Sequence, residues 1–498
     1  MTAVATISAQ GAPVSADVRG MIAAAGAAQT AWAGLPLRAR LAVLRKFREL
    51  LAERSDVLVD AMGHLPRTRA ELLTSEVVPL GAAVKFLEKK AAAILGEKRL
   101  GWLGRPFWVG ATRSTVRRVA LGRVMIIGPS NYPLFLTGVQ AVQALAAGNA
   151  IVLKPGRGAL AVTQGLVQLL AEAGVDPRLM VVTDESVEAV GTASDAGVEK
   201  VFLTGSYTAG QDVLALCAQR CVPAVVELSG CDAVIVDHTA DMTLAVQAIA
   251  WGLMLNAGQT CIGPRRVIVD EAIAERFTGL LLEKLRKQAP VVIGESTREK
   301  IDGLVKQALL KGARLLTGST HEAQDFAPVV LGGVTPAMGI ANADVFAPVL
   351  CVMTASSQAQ QIAWANQCEY QLGAAVFASN ERAVDIARQL KAGTVVTNDL
   401  IAPTADPRLT FGGSGKSGFG LTRGPEGLLE MTRVQTVIER TGKFRPHLDG
   451  TAPSDEAMFK QYLKAAHASC SLARIRAAAG FIKLAAKRGQ STDKRGHS

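Results

Sequence analysis

Three side chains, far apart in the chain, are of the types that covalent catalysis at a carbonyl group uses. Cys261 ends NAGQTC, a loop of small residues after the apolar stretch AVQAIAWGLML. Glu227 closes the apolar strand pattern of VELSG, and Asn131 sits in the tight loop GPSNYP. A sulfur nucleophile, a carboxylate base and an amide donor would suit attack, proton removal and stabilisation of an oxyanion. A fourth stretch, VFLTGSYTAG, runs from a strand pattern into a glycine-punctuated helix start, where backbone N–H groups favour a phosphate. Each stretch also has a simpler use. A single cysteine in an apolar chain commonly packs as a small hydrophobe. Asn131 could serve its turn, and Glu227 a helix cap or an ion pair. LTGS lacks the full glycine fingerprint of a dinucleotide site.

The elements around these residues alternate between two periods. Leu37, Leu41, Leu44, Phe47, Leu51 and Leu58 recur at helical spacing, which predicts one amphipathic helix over about residues 37–62. RSTVRRVALGRVMIIGPS predicts a surface strand followed by a buried one. AIVLKP, LMVVTD, KVFLTGS and AVVEL are further β-branched runs separated by helical stretches, the pattern of a parallel, doubly wound sheet. A second α/β series follows, with DAVIVD, RRVIVD, PVLCVMTA, GAAVFA and GTVVTND, and RVQTVIER is a late strand. Between Val124 and Leu153 there is no charged residue, yet Gly128, Pro129, Asn131, Pro133, Gly148 and Asn149 break the run into strand, loop, helix and strand rather than a membrane span.

Taken together, the motifs resemble the aldehyde dehydrogenase superfamily, in the family's motif order from about residue 15 to 440. The interval from Glu227 to Cys261 matches the family's base-to-nucleophile spacing. FGGSGKSGFG (411–420) stands for its glycine motif and DVFAPVL (344–350) for its nicotinamide-ribose motif. NYPLFLTGVQAVQALAAGN and VVTND resemble the class 3, fatty-aldehyde branch. The resemblance implies an α/β fold with a Rossmann-like cofactor domain (1–101 and 121–229), an α/β catalytic domain (230–418), and a β-hairpin oligomerisation element (102–120 and 419–440) whose hairpin pairs with the strand near 432–440 across a dimer. It implies Cys261 as nucleophile, Asn131 and the Cys261 N–H as oxyanion donors, and Glu227 as the base that activates water. NAD or NADP would be held by Lys154, Arg157, Gly205, Ser206, Asp344 and Phe346. No metal is implied, since the six histidines form no ligand pair at helical spacing. From side-chain character, Tyr132, Leu136 and Phe411 are the candidate aldehyde tunnel wall, which suits an apolar aliphatic or aromatic aldehyde.

Several positions depart from the family pattern. Arg157 stands where a glutamate would hold the ribose 2′-hydroxyl; an arginine there attracts a 2′-phosphate or points to solvent. Ser130 replaces a tryptophan, Ser229 and Cys231 alter a Gly-Gly-Lys, Asp344 is one methylene shorter than the usual glutamate, and Ala347 replaces a glycine. Retention of Glu227 favours a thioester cleaved by water over one cleaved by CoA. A non-catalytic scaffold built on the same fold would have no need of Asn131, Glu227 and Cys261 together.

With 498 residues, 49% hydrophobic and 19% charged, the chain is long enough for about three domains with large buried sheets. Its seven cysteines show no CxxC, which points to reduced thiols and a cytoplasmic enzyme, and the N-terminus lacks the pattern of a signal peptide. The formal charge of +11 is a property of the tail. Residues 441–498 hold eleven Lys and Arg against four Asp and Glu, which leaves the body near neutral and points away from a nucleic-acid partner. Between Met458 and Arg488 apolar and basic residues mix as in one or two amphipathic helices broken near Ser469–Cys470 or Gly480, ending in a solvated, disordered GQSTDKRGHS. Such helices suit peripheral membrane contact, another partner, or packing on the enzyme's own surface. The resemblance implies a small aldehyde as substrate and a homodimer or dimer of dimers as the assembly.

Overall fold

The computed structural model describes residues 15–106, 109–319, 325–442, 445, 447–448 and 450–493. The described residues form two compact units, one within 15–96 and 118–434 and one within 97–117 and 435–493.

The first unit is built on two sheets. One has six strands in the order Gly418–Phe419, Ala224–Leu228, Lys200–Gly205, Arg123–Ile127, Ala150–Lys154 and Met180–Val182. All are parallel except Gly418–Phe419, which pairs antiparallel with Val226 and Glu227. The other has seven strands in the order Arg314–Thr317, Val329–Gly332, Val349–Ala355, Pro264–Asp270, Asp232–Val236, Gly373–Phe377 and Thr394–Thr397, parallel except at the Arg314 edge. The β-branched runs seen in the sequence are these strands. Both sheets are buried on two faces, so their strands read as unbroken apolar runs rather than alternating ones. The uncharged run from Val124 to Leu153 is a strand, a loop, the fully buried helix Phe135–Ala147 and a second strand. Among the described residues no helix is long and apolar enough to cross a membrane.

Two expectations are corrected here. The single helix over 37–62 is two, Leu37–Glu53 and Ser55–Ala61, because Arg54 leaves helical geometry at φ −125°, ψ 27°. The apolar period survives the break, with Leu44, Phe47, Leu51 and Leu58 buried, so spacing alone did not reveal it. Residues 419–431, expected in the oligomerisation element, lie instead in the first unit. Gly418–Phe419 extends the first sheet, Asn149 Nδ2 donates to the Met431 carbonyl at 2.8 Å, and Lys200 pairs with Glu430.

In the second unit, Lys98–Leu100 and Thr112–Ala120 form an antiparallel pair, and Thr432–Arg440 completes a three-stranded sheet with them. The hairpin therefore begins at 98, and Thr432–Arg440 pairs with it within this chain. A strand pattern asks for a partner edge and is silent on which copy supplies it. The tail folds as two helices, Glu456–His467 and Ser471–Asp493, broken at 468–470. Gly480 does not break the second helix but lies against Gln461 of the first, and Tyr462 meets Phe481 at 5.7 Å between ring centres. The helix runs through 489–493, so that part of the disordered end expected from the sequence is helical, and 494–498 lie outside the described residues.

Candidate active site

The sheet that ends at Glu227 and the loop that carries Cys261 meet at close range. A Cβ on Gly230 would lie 2.6 Å from the Cys261 carbonyl, so only glycine lets the two segments approach. Cys261 follows a turn in which Asn256, Ala257 and Gly258 all have positive φ, near 52°, 54° and 76°. An alanine in that region is strained by about 1–2 kcal/mol. The strain is held by Arg265, whose buried guanidinium donates to the carbonyls of Gly258 at 2.6 Å and Thr260 at 3.2 Å.

Asn131 is placed by a buried ion pair that the sequence analysis did not find. Arg67 Nη2 donates to Glu76 Oε1 at 2.7 Å and to the Asn131 carbonyl at 2.9 Å. Glu76 Oε2 accepts the N–H groups of Leu134 and Phe135, at the start of the helix that follows the Asn131 loop. Asn256 Nδ2 donates to the same Asn131 carbonyl at 3.1 Å, and Asn131 Nδ2 donates to Gln259 O at 2.8 Å. The nucleophile loop and the amide loop are thus tied to each other. Burial raises the Glu76 carboxyl to about 7 against the opposing pull of Arg67. Substitution of Arg67 by methionine should cost about 3–5 kcal/mol at pH 8, because it strands a buried carboxylate. At pH 5 the cost should shrink, since below its raised pKa Glu76 takes up a proton and nothing charged is left unpaired. Urea unfolding at the two pH values checks this; an equal loss at both would show that the charge is not what matters.

Asn131, Glu227 and Cys261 all line one solvent-connected cleft of about 450 Å³. Cys261 keeps part of its surface open to that cleft, yet burial, followed by the charge of Glu227, pushes its thiol up to about 12. Glu227 is buried, and desolvation raises its carboxyl above the ordinary range; Arg423 and the Thr422 hydroxyl oppose that shift. Thr422 Oγ1 donates to Glu227 Oε2 at 2.6 Å. Arg423 is itself buried, at φ 59°, with one donor on the Thr404 carbonyl at 3.0 Å and its Nε without a partner. Thr422 and Arg423 lie one residue beyond FGGSGKSGFG, after Leu421, and neither was singled out from the sequence, because no spacing rule links residue 422 to residue 227.

The candidate cofactor residues divide. Gly205, Ser206, Arg157, Asp344 and Phe346 line the cleft; Lys154, half-buried with its pKa lowered by burial, is not among the lining residues. Ser206 caps the helix Tyr207–Arg220 by accepting from Ala209 N at 3.2 Å, and that helix start faces the cleft with its positive dipole end. Asp344 Oδ1 is buried without a partner, a polar atom suited to a ribose hydroxyl. The residues present therefore fit a dinucleotide. Of the tunnel-wall candidates, Leu136 lines the cleft. Tyr132 does not, and its hydroxyl is shared with Thr260 Oγ1 at 2.7 Å. Phe411 does not line it either: its ring carries the Arg423 guanidinium 4.1 Å above it. Aromatic character marked both as walls, whereas each has a partner that holds it in the frame.

The aldehyde dehydrogenase family model matches residues 2–437. A Mycolicibacterium smegmatis protein named "Putative succinate-semialdehyde dehydrogenase, NADP(+)" is 32% identical over 84% of this chain and 84% of its own length. The 4,4'-diapolycopene aldehyde oxidase of a Methylomonas species is 29% identical over 80% of this chain and 77% of its own. The crystal structure of a Mycobacterium tuberculosis aldehyde dehydrogenase complexed with NAD+ superposes with a TM-score of 0.79 at 25% identity, covering 87% of this chain and 92% of that one. With the cleft, its thiol, amide and carboxylate, and a match along nearly the whole length, the chain belongs to the aldehyde dehydrogenase family.

Proposed function

We propose that this enzyme oxidises a neutral, apolar aldehyde to its carboxylic acid with NAD or NADP, and that water cleaves the acyl-enzyme. The observation that supports this most is the convergence of Asn131, Glu227 and Cys261 on one cleft that also has a helix start and an unpartnered carboxylate oxygen. Cys261 gives its proton to solvent water in the cleft, its thiolate bonds to the aldehyde carbon, and the carbonyl π pair moves onto oxygen to leave a thiohemiacetal oxyanion. The Asn131 amide and the Cys261 N–H donate to that oxyanion. Gly205, Ser206, Asp344 and Phe346 would hold the dinucleotide, which would supply the acceptor for the hydride that this carbon loses. Collapse then leaves a thioester on Cys261. Glu227 takes a proton from water, hydroxide adds to the thioester carbon, and the C–S bond breaks to release the acid.

Lining side chains support the substrate class. Leu136, Leu228 and Ile293 supply apolar surface, and Arg157 is the only Lys or Arg among the lining residues. A second carboxylate, as in succinate semialdehyde, would need a cation near the reacting carbon, and Arg423, whose charge reaches Cys261, is already matched by Glu227, the Thr404 carbonyl and the Phe411 ring. The diapolycopene name of one relative and the resemblance to the class 3 branch point the same way. A screen of NAD(P)H formation over aldehydes of graded chain length tests the reading; succinate semialdehyde as best substrate would overturn it.

Arg157 is exposed at the cleft beside Pro129 and Ser130, where it could meet a 2′-phosphate. Its replacement by glutamate is expected to weaken NADP use relative to NAD by about tenfold or more, through loss of a charge-assisted contact and gain of repulsion. The ratio of kcat/KM for the two cofactors reads this directly, and an unchanged ratio would mean that Arg157 discriminates nothing. Homodimerisation is proposed through the second unit's sheet, where Val437 and Ile438 are exposed. The enzyme is proposed to be cytoplasmic, with its basic tail serving location rather than chemistry.

A further inference from the structure

The second tail helix presents two faces. Ala477, Phe481 and Leu484 face inward, Ala477 being fully buried and Phe481 resting on Tyr462 of the first tail helix. The other side exposes Leu472, Ile475, Ala479, Ile482 and Ala486, which are spaced by three and four residues and therefore form one stripe. Arg476, Lys483 and Lys487 run alongside that stripe and are exposed. From Ala457 to Thr492 there is no acidic residue, against seven Lys and Arg. The first tail helix repeats the pattern on a smaller scale, with Phe459 and Leu463 exposed beside Lys460 and Lys464. A water-facing helix has no use for Ile475 and Ile482 at 67% and 66% exposure.

A second element of the same unit has this composition in a different form. After Lys98–Leu100 the chain turns through Trp102 and Leu103, exposed by 76% and 84%, with Lys98, Arg99 and Arg105 around them. Tryptophan flanked by cations suits the boundary between headgroups and acyl chains, where an indole is wetted on one side only.

We infer that the second unit docks on an anionic lipid surface through the exposed stripe of the Ser471–Asp493 helix and the Trp102–Leu103 turn. This rests on the reading of the tail as a locating element and is independent of the substrate assigned above. The helix lies in the interface and does not span it: it holds five Lys and Arg among residues 471–488, and no described helix is long and apolar enough to cross a membrane. Leu472, Ile475 and Ile482 enter the acyl boundary, and Arg476, Lys483 and Lys487 extend their stems to reach lipid phosphates and carboxylates. Charge complementarity selects the partner. A second copy of this surface would bring the same cations together without acids to meet them.

Co-sedimentation of the full-length enzyme with vesicles tests this. Binding is expected to mixed phosphatidylcholine and phosphatidylserine, with little to phosphatidylcholine alone, and to be lost in high salt. The double variant Ile475→Glu, Ile482→Glu, and separately the triple variant Arg476→Gln, Lys483→Gln, Lys487→Gln, should each weaken binding by about tenfold or more. Trp102→Ala with Leu103→Ser should weaken it by a smaller factor of about three. All three should retain aldehyde oxidation, which shows that they are folded and separates failure here from failure of the enzymatic reading. Absent binding, equal binding to both vesicle types, or stripe variants that bind normally would overturn the inference. So would a stripe variant whose light-scattering mass falls while the wild type ignores vesicles, because a second copy would then be what covers the stripe.

Discussion

Replacing Cys261 with alanine should abolish aldehyde oxidation, with kcat/KM falling by roughly four orders of magnitude or more. Without the sulfur no covalent intermediate forms, and the amide and the helix start have no oxyanion to stabilise. The fold should survive, because the strained turn before Cys261 is held by Arg265 and Gly258 and not by the thiol. Thermal unfolding close to that of the wild type, together with unchanged cofactor binding, would show this. In the wild type, the thiol raised to about 12 makes the nucleophilic thiolate scarce at neutral pH. The value of kcat/KM is therefore expected to climb as pH rises through the alkaline range. Appreciable turnover by the alanine variant would end the covalent reading.

Glu227→Gln should separate the two halves of the reaction. Hydride transfer precedes the need for a base toward water, so the variant should release about one NAD(P)H per site in a burst and then stall, with kcat lowered by about 10²–10⁴-fold. Intact-mass measurement should find the acyl group on Cys261. The sign of the pH effect follows from burial, which raises the Glu227 carboxyl above the ordinary range. As pH falls through that raised value the carboxylate takes up a proton, and the base is lost earlier than for an exposed glutamate. The acid limb of kcat should thus lie at higher pH than usual in the wild type and vanish in the variant. Thr422 Oγ1, which donates to Oε2, favours the charged form. Full steady-state activity of the variant would remove Glu227 as base. Rescue by CoA with acyl-CoA formation would instead identify a CoA-acylating enzyme.

Much of this is legible in the sequence. The strands showed because parallel sheets buried on both faces write themselves as apolar runs. Asn131 showed in the loop that ends one such run, Glu227 as the carboxylate near the end of another, and Cys261 in the small-residue loop after an apolar helix. The break at Arg54 was hidden, since a kink that keeps the apolar face inward leaves the period intact.

Side-chain types and their order along the chain determined the α/β architecture, the family, and which thiol, amide and carboxylate to watch. Tertiary structure alone decided which groups support them. Arg67 and Glu76 hold the Asn131 loop from a different part of the chain, Thr422 reaches Glu227 across the sheet, and Phe411 carries Arg423 rather than substrate. These contacts join residues distant in sequence, where no periodicity relates one partner to the other. Whether a polar group is buried, and what then satisfies it, is settled only when the chain closes around it.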